Sequence, residues 1–174
     1  MKKTISIIIS IAMCAMLASC GGVKNEVSDT EQPTLIDTMS LEEKVGQILF
    51  VRCVDDEQTD DLMSIKPGGI LMFGRDFEGL TKDEVKEKIQ SYQDKSDIPL
   101  IIGADEEGGT VVRGSSNPNL APEKFKSPQE IYNEGGMDAV VENATEKSEL
   151  LLSLGVNMNL APVADVSTNP SDYM

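Results

Sequence analysis

The sequence predicts an α/β fold built on a parallel sheet, and two features carry that expectation. Short apolar runs without polar alternation, the form taken by strands covered on both faces, recur along the chain. Longer amphipathic stretches lie between them, each opening on a recognisable helix-start signal.

The elements follow in order. Ser40-Leu41-Glu42-Glu43 has the S-x-x-E form of a capping box, and Leu41, Val45, Ile48 and Leu49 then recur at helical spacing. This predicts a helix from about Ser40 to about Val51, followed by an acidic, polar interruption from Asp55 to Asp61. Pro67-Gly68-Gly69 punctuates the chain before Ile70-Leu71-Met72-Phe73, a buried strand closed by Gly74. Thr81-Lys82-Asp83-Glu84 is a second capping box, and Val85, Ile89 and Tyr92 place the apolar side of the helix it starts. Pro99 introduces a second strand, Leu100 to Ala104. Ser127-Pro128-Gln129-Glu130 then opens a helix with proline at its first position. A further helix is expected from Met137 to Leu154, closed by Gly155 in the left-handed conformation, and residues 156–166 carry a last strand and its outgoing loop.

The predicted order is helix, strand, helix, strand, helix, helix, strand. Three such strands suit either an open doubly wound sheet or part of a (β/α)8 barrel, and periodicity does not separate the two. A complete barrel takes about 250 residues, more than the 174 present.

The front of the chain reads as an address. Lys2 and Lys3 precede an apolar stretch from Ile5 to Leu17, too short to span a membrane comfortably, which is the pattern of a signal peptide. Leu17-Ala18-Ser19-Cys20 resembles the bacterial lipobox, which implies cleavage before Cys20, lipidation of its thiol, and an extracytoplasmic protein anchored to a bacterial cell membrane. The expected organisation is a signal peptide over 1–19, a flexible polar tether over 20–33 and a folded part over 34–174.

Composition narrows the chemistry. The formal net charge is −15, which repels phosphate backbones and excludes nucleic acid as a natural partner. No histidine is present, so carboxylates are the main acid and base groups. Aromatic residues make up 4% of the chain and offer few stacking platforms. Of the three cysteines only Cys53 belongs to the folded part, where it reads as a small buried hydrophobe beside Val51 and Val54. No glycine-rich phosphate loop occurs.

Asp105, Glu106 and Glu107 follow a predicted buried strand directly, the place where α/β folds bind ligands, and Gly108-Gly109 allows a sharp turn and a close approach to a ligand. Asp165 takes the equivalent place on the last strand. Arg113, eight residues after Asp105, is placed to pair with one of these acids or to orient a polar ligand. Each of these groups also suits a solvated or loop-binding role.

Taken together, MSLEEKVGQILFV (39–51), PGGILMFGRDF (67–77), PLIIGADEEGGTVVR (99–113) and LGVNMNLAPVADVSTNP (154–170) resemble the front half of the glycoside hydrolase family 3 barrel, most closely its bacterial β-N-acetylglucosaminidase branch. The resemblance implies the N-terminal part of a (β/α)8 barrel, incomplete in this chain. It implies a retaining, exo-acting enzyme for terminal β-linked sugars, with no metal or organic cofactor. Asp105 matches the family aspartate that hydrogen-bonds sugar hydroxyls, so it is expected to bind substrate. Glu107 matches the supporting acid of the same motif, with Asp165 and Arg113 as further substrate-binding candidates. The nucleophile and the acid/base are expected beyond residue 174, so no catalytic residue is assigned here. Glu106 stands where the family often has glutamine, Asp76 where asparagine is common, and Thr110 where arginine is frequent. β-Glucosidase or β-xylosidase specificity, or a non-catalytic sugar-binding surface lipoprotein, are the alternatives left open.

Overall fold

The computed structural model describes residues 34–164. The expected signal peptide, the tether, Cys20 and Asp165 lie outside the described residues. The chain divides into two compact units, residues 1–37 and 38–174. A short helix, α1 (Leu35–Thr38), opens with the Asp37 carboxylate accepting from the Thr34 amide at 2.9 Å and its hydroxyl at 2.7 Å.

From Leu41 onward, helices alternate with parallel strands. The order is α2 (Leu41–Gln47), β1 (Phe50–Arg52), α3 (Thr59–Ser64), β2 (Gly69–Met72), α4 (Lys82–Gln93), β3 (Ile101–Ala104), α5 (Pro128–Leu154) and β4 (Met158–Asn159). Capping boxes start three of the helices, at Ser40, Thr81 and Ser127, and each satisfies backbone N–H groups that a bare helix end leaves unpaired. α5 is broken at Gly136 (φ 68°, ψ −157°), so the two helices expected there are present, joined end to end. Gly155 closes the second at φ 91°.

Two expectations need correction. The first helix does not reach Val51: it stops at Gln47, and residues 50–52 form β1. The Leu49 carbonyl accepts from Gly68 N at 3.0 Å and Gly69 N at 3.3 Å, so pairing with the distant β2 segment captures a stretch whose local period also suits a helix. The acidic stretch after it is not an irregular interruption but a 3-10 turn (Asp56–Gln58) running into α3. That helix has no side-chain cap, so it carries no start signal.

The four strands are parallel and lie in the order β1-β2-β3-β4. A doubly wound sheet reverses its strand order at a switch point. This sheet never reverses, which is the sequential winding of a barrel wall and settles what periodicity leaves open. Ile70, Met72, Ile102 and Ala104 are buried in one cluster with Val85, Ile89 and Tyr92 of α4 and Leu151 and Leu154 of α5. Each large side chain buried there contributes about 1.5–3 kcal/mol. Residues of the opposite parity are left open: Phe50 is 38% exposed, Ile101 43% and Leu160 39%. The Phe50 ring lies across the positions of Gly69 and Gly103, where a Cβ on Gly103 would fall 2.5 Å from its Cζ atom.

Cys53 is fully buried, as expected, with its sulfur 3.2 Å from the Tyr92 hydroxyl, which itself donates to the Val54 carbonyl at 2.9 Å. Burial pushes the Cys53 thiol up, so it behaves as packing rather than as a nucleophile. No helix among the described residues is long and apolar enough to cross a membrane.

α2 packs its Gly46 against the turn that follows α3, where an added Cβ would sit 2.1 Å from the Ile65 carbonyl oxygen. In an open helix, replacing glycine with alanine gains up to about 1 kcal/mol. Here Gly46→Ala is expected to lose about 1–3 kcal/mol instead. Urea unfolding of the two proteins gives the sign, and a gain would mean that α2 does not rest on the Ile65 turn.

Candidate functional site

The C-terminal ends of the parallel strands form one rim, and the chain turns there in ways its sequence dictates. β3 ends at Ala104, and the next residue, Asp105, is half-buried with its side chain 23% exposed. Its Oδ2 accepts from Arg113 Nη2 at 3.0 Å, the pairing that the spacing of eight residues suggests. Oδ1 takes no hydrogen bond from the described residues.

Glu106 points the other way, into the protein, and is 0% exposed. Its Oε2 accepts from the amides of Arg113 (3.0 Å), Gly114 (2.7 Å) and Ser115 (3.3 Å), and its Oε1 accepts from the Ser115 hydroxyl at 2.5 Å. Consecutive amides converging on one carboxylate form an internal anion nest, at the start of the 3-10 turn Gly114–Ser116. Because the nest fixes the Arg113 backbone, it also fixes where that guanidinium starts from. The sequence gives only three adjacent acids here. Which one is buried follows from backbone geometry that no residue pattern encodes.

The Arg113 guanidinium lies 5.6 Å from the centre of the Phe73 ring, and Arg52, at the end of β1, lies 5.0 Å from the same centre. Both are cation–π distances. Phe73 is held by the buried Asp76 carboxylate, which accepts from its amide at 2.8 Å and has Lys88 at 3.7 Å and Arg75 at 3.8 Å. The rim therefore links β1, β2 and β3 through Arg52, Phe73, Arg113 and Asp105. Arg113 Nε is buried with no hydrogen-bond partner.

The turn after Asp105 is anchored from two further sides. Asn159 of β4 accepts from the Glu106 amide at 2.9 Å and donates to the Glu106 carbonyl at 3.2 Å, so its side chain acts as an extra rung between the strands. Lys147 of α5 donates to the Glu107 carbonyl at 2.5 Å. Glu107 itself is half-buried, and its amide donates to the Val111 carbonyl at 3.0 Å. Gly108 and Gly109 have φ of 104° and 66°, as a sharp turn requires. What they approach is the chain's own segment: a Cβ on Gly108 would meet the Lys126 carbonyl oxygen at 2.1 Å, and one on Gly109 the Ser127 Cβ at 2.9 Å.

Asp105 and Arg113 are thus brought together at one rim, Glu107 lies in the turn that follows Asp105, and Asp165 lies outside the described residues. Sequence reasoning misses Phe73, Asn159 and Lys147 as parts of the site. The one available signal is the Asn157-x-Asn159 repeat within a strand-length run, since Asn157 bonds to the backbone of β3 and Asn159 to that of the turn that follows it. No group of three or more metal-ligating side chains occurs among the described residues. A groove of about 710 Å³ between residues 120–126 and α5 contains none of the rim residues. Among the described residues the rim offers a carboxylate with one unengaged oxygen beside a guanidinium, which is suited to binding the hydroxyls of a polar, uncharged ligand.

The family profile described as the glycosyl hydrolase family 3 N terminal domain matches residues 40–173. Beta-hexosaminidase A of Pseudoalteromonas piscicida is 31% identical over 108 residues, covering 60% of this chain and 18% of that protein. The beta-hexosaminidase of Haemophilus influenzae is 23% identical over 113 residues, covering 65% and 32%. Among solved structures, a glycosyl hydrolase of the same family from Mycobacterium smegmatis superposes with a TM-score of 0.63 at 23% identity, over 78% of this chain and 39% of that one. A family 3 beta-N-acetylglucosaminidase from Paenibacillus superposes with a TM-score of 0.60 at 26% identity, over 71% and 24%. The chain spans less than a third of the length of the curated relatives it matches.

Ser115 closes the Glu106 nest with the shortest of its bonds. Ser115→Ala is expected to destabilise the protein by roughly 1.5–3 kcal/mol, the range for a hydrogen bond to a charged group. Denaturant titration measures this, and an unchanged midpoint would show that the amides alone satisfy the carboxylate.

Proposed function

Since this chain belongs to the glycosyl hydrolase family 3 N-terminal domain family, we propose that its strand-end rim binds the terminal sugar of a β-linked N-acetylglucosaminide, as part of a retaining, exo-acting β-N-acetylhexosaminidase of carbohydrate or cell-wall metabolism. The observation that carries the reading is the Asp105–Arg113 pair at the end of a barrel strand, in which one carboxylate oxygen is engaged and the other has no hydrogen-bond partner among the described residues. A free carboxylate oxygen accepts sugar hydroxyls, and its bonds strengthen as positive charge develops on the ring in an oxocarbenium-like transition state. Pairing with a guanidinium draws charge from Asp105 and favours the binding role over the nucleophilic one. Similarity to two beta-hexosaminidases and to the beta-N-acetylglucosaminidase from Paenibacillus supports an amino sugar, N-acetylglucosamine, over glucose or xylose.

Calorimetric titration of the chain with N-acetylglucosamine, glucose and xylose tests the reading. Saturable binding of N-acetylglucosamine is expected, weakened about tenfold or more in Asp105→Ala, as the loss of hydrogen bonds to a charged acceptor predicts. Tighter binding of glucose or xylose would move the specificity to the other branches of the family, and no sugar binding would end the proposal.

The protein is further proposed to be held on the outside of a bacterial membrane through a lipidated Cys20. Two acyl chains hold a protein where one does not. In cells expressing the full sequence, the wild type is expected in the detergent phase after phase partitioning and Cys20→Ala in the aqueous phase. The wild type in the aqueous phase would remove the anchor.

A further inference from the structure

Lys147 stands out among the buried residues. It lies on α5, is 7% exposed, and is the single buried lysine of the core and polar interior among the described residues. Burial lowers the affinity of its ammonium for the proton, while Glu106 and Glu107 act to raise it. Yet it makes no ion pair with either among the described salt bridges. Its hydrogen bond goes to a neutral group, the Glu107 carbonyl, and its ammonium lies 5.7 Å from the centre of the Phe125 ring.

Glu106 is in the mirror situation. Its carboxylate is wholly buried and takes all of its hydrogen bonds from neutral donors, three amides and one hydroxyl. These neutral partners satisfy its oxygens but bring no opposite charge of their own. The two opposite charges flank the same short turn, one at Glu106 and one against the carbonyl of the next residue. Of the two carboxylates that act on Lys147, Glu106 is the fully buried one and has the larger effect, so the two buried charges are paired here across the Glu107 peptide. The same turn carries Asp105 at its start.

We propose that Lys147 is a positioning residue of the sugar-binding rim: its ammonium holds the Glu107 carbonyl and balances the buried charge of Glu106, and so fixes the turn that presents Asp105. The positioning role rests on the reading of Asp105 as a sugar-binding group, whereas the charge balance stands on the geometry alone. Lys147 touches no substrate in this scheme and acts through the Glu107 peptide.

The test compares four versions of the full chain: wild type, Lys147→Met, Glu106→Gln, and the double variant. Methionine keeps most of the apolar stem, and glutamine keeps an acceptor for the amide nest. Thermal unfolding at neutral pH reads the charge balance, and calorimetric affinity for N-acetylglucosamine reads the positioning. Each single variant is expected to lower the unfolding midpoint by about 4 °C or more, and the double variant to recover at least half of that loss, because it removes both buried charges together. Lys147→Met is expected to weaken sugar binding about tenfold, with partial recovery in the double variant. Midpoint losses that simply add in the double variant would overturn the charge balance. Wild-type affinity in Lys147→Met would overturn the positioning role. Should the wild type bind no N-acetylglucosamine, the positioning role falls with the sugar reading, while the unfolding midpoints still decide whether Glu106 and Lys147 balance one another.

Discussion

The buried carboxylate of Glu106 is the constraint on which the strand-end rim depends. An acid with no exposure is tolerable only if its oxygens are saturated, and three successive amides and a hydroxyl do this. Those amides belong to residues 113–115, so satisfying Glu106 fixes where Arg113 starts, and Arg113 reaches back to the acid directly before Glu106 in sequence. Asp105 is thus oriented by its neighbour's burial, through a loop that leaves the strand and returns to it. The cross-strand bonds from Asn159 tie this arrangement to β4, so that the sheet and the loop share one frame.

Local rules write much of this structure plainly. Capping boxes at Ser40, Thr81 and Ser127 place three helix starts, and the apolar runs at Ile70 and Ile102 place two strands on the buried side. β1 escapes because its three residues follow a helix of compatible period, and only hydrogen bonds to residues nearly twenty positions away settle its form. α3 escapes because nothing caps it. At the rim, the acidic triplet marks the place, and the resemblance to family 3 is what implies the ligand-facing role proposed for Asp105. The inward turn of Glu106 and the reach of Lys147 from α5 depend on tertiary packing, which a linear pattern does not carry.

The chain is strongly acidic, yet its three arginines lie at or beyond the ends of the first three strands: Arg52 closes β1, Arg75 follows β2 and Arg113 follows β3. A guanidinium can lie flat on an aromatic face while its edge hydrogen-bonds a carboxylate, which an ammonium does not do as well. Arg113 reaches both kinds of partner, lying 5.6 Å from the centre of the Phe73 ring and 3.0 Å from Asp105. Lysine is used elsewhere for a different purpose, as a point charge set against a carbonyl inside the protein.

All four strands run the same way, and the ladder bonds at the outer edges of β1 and β4 are left without a strand partner among the described residues. The sheet therefore has a direction as well as a surface. Any strand that joins either edge in parallel brings its C-terminal end to the side occupied by Asp105, and its N-terminal end to the side occupied by Lys66 and Asp97. Lateral growth of such a wall therefore places the last side chain of every added strand on the side of Asp105.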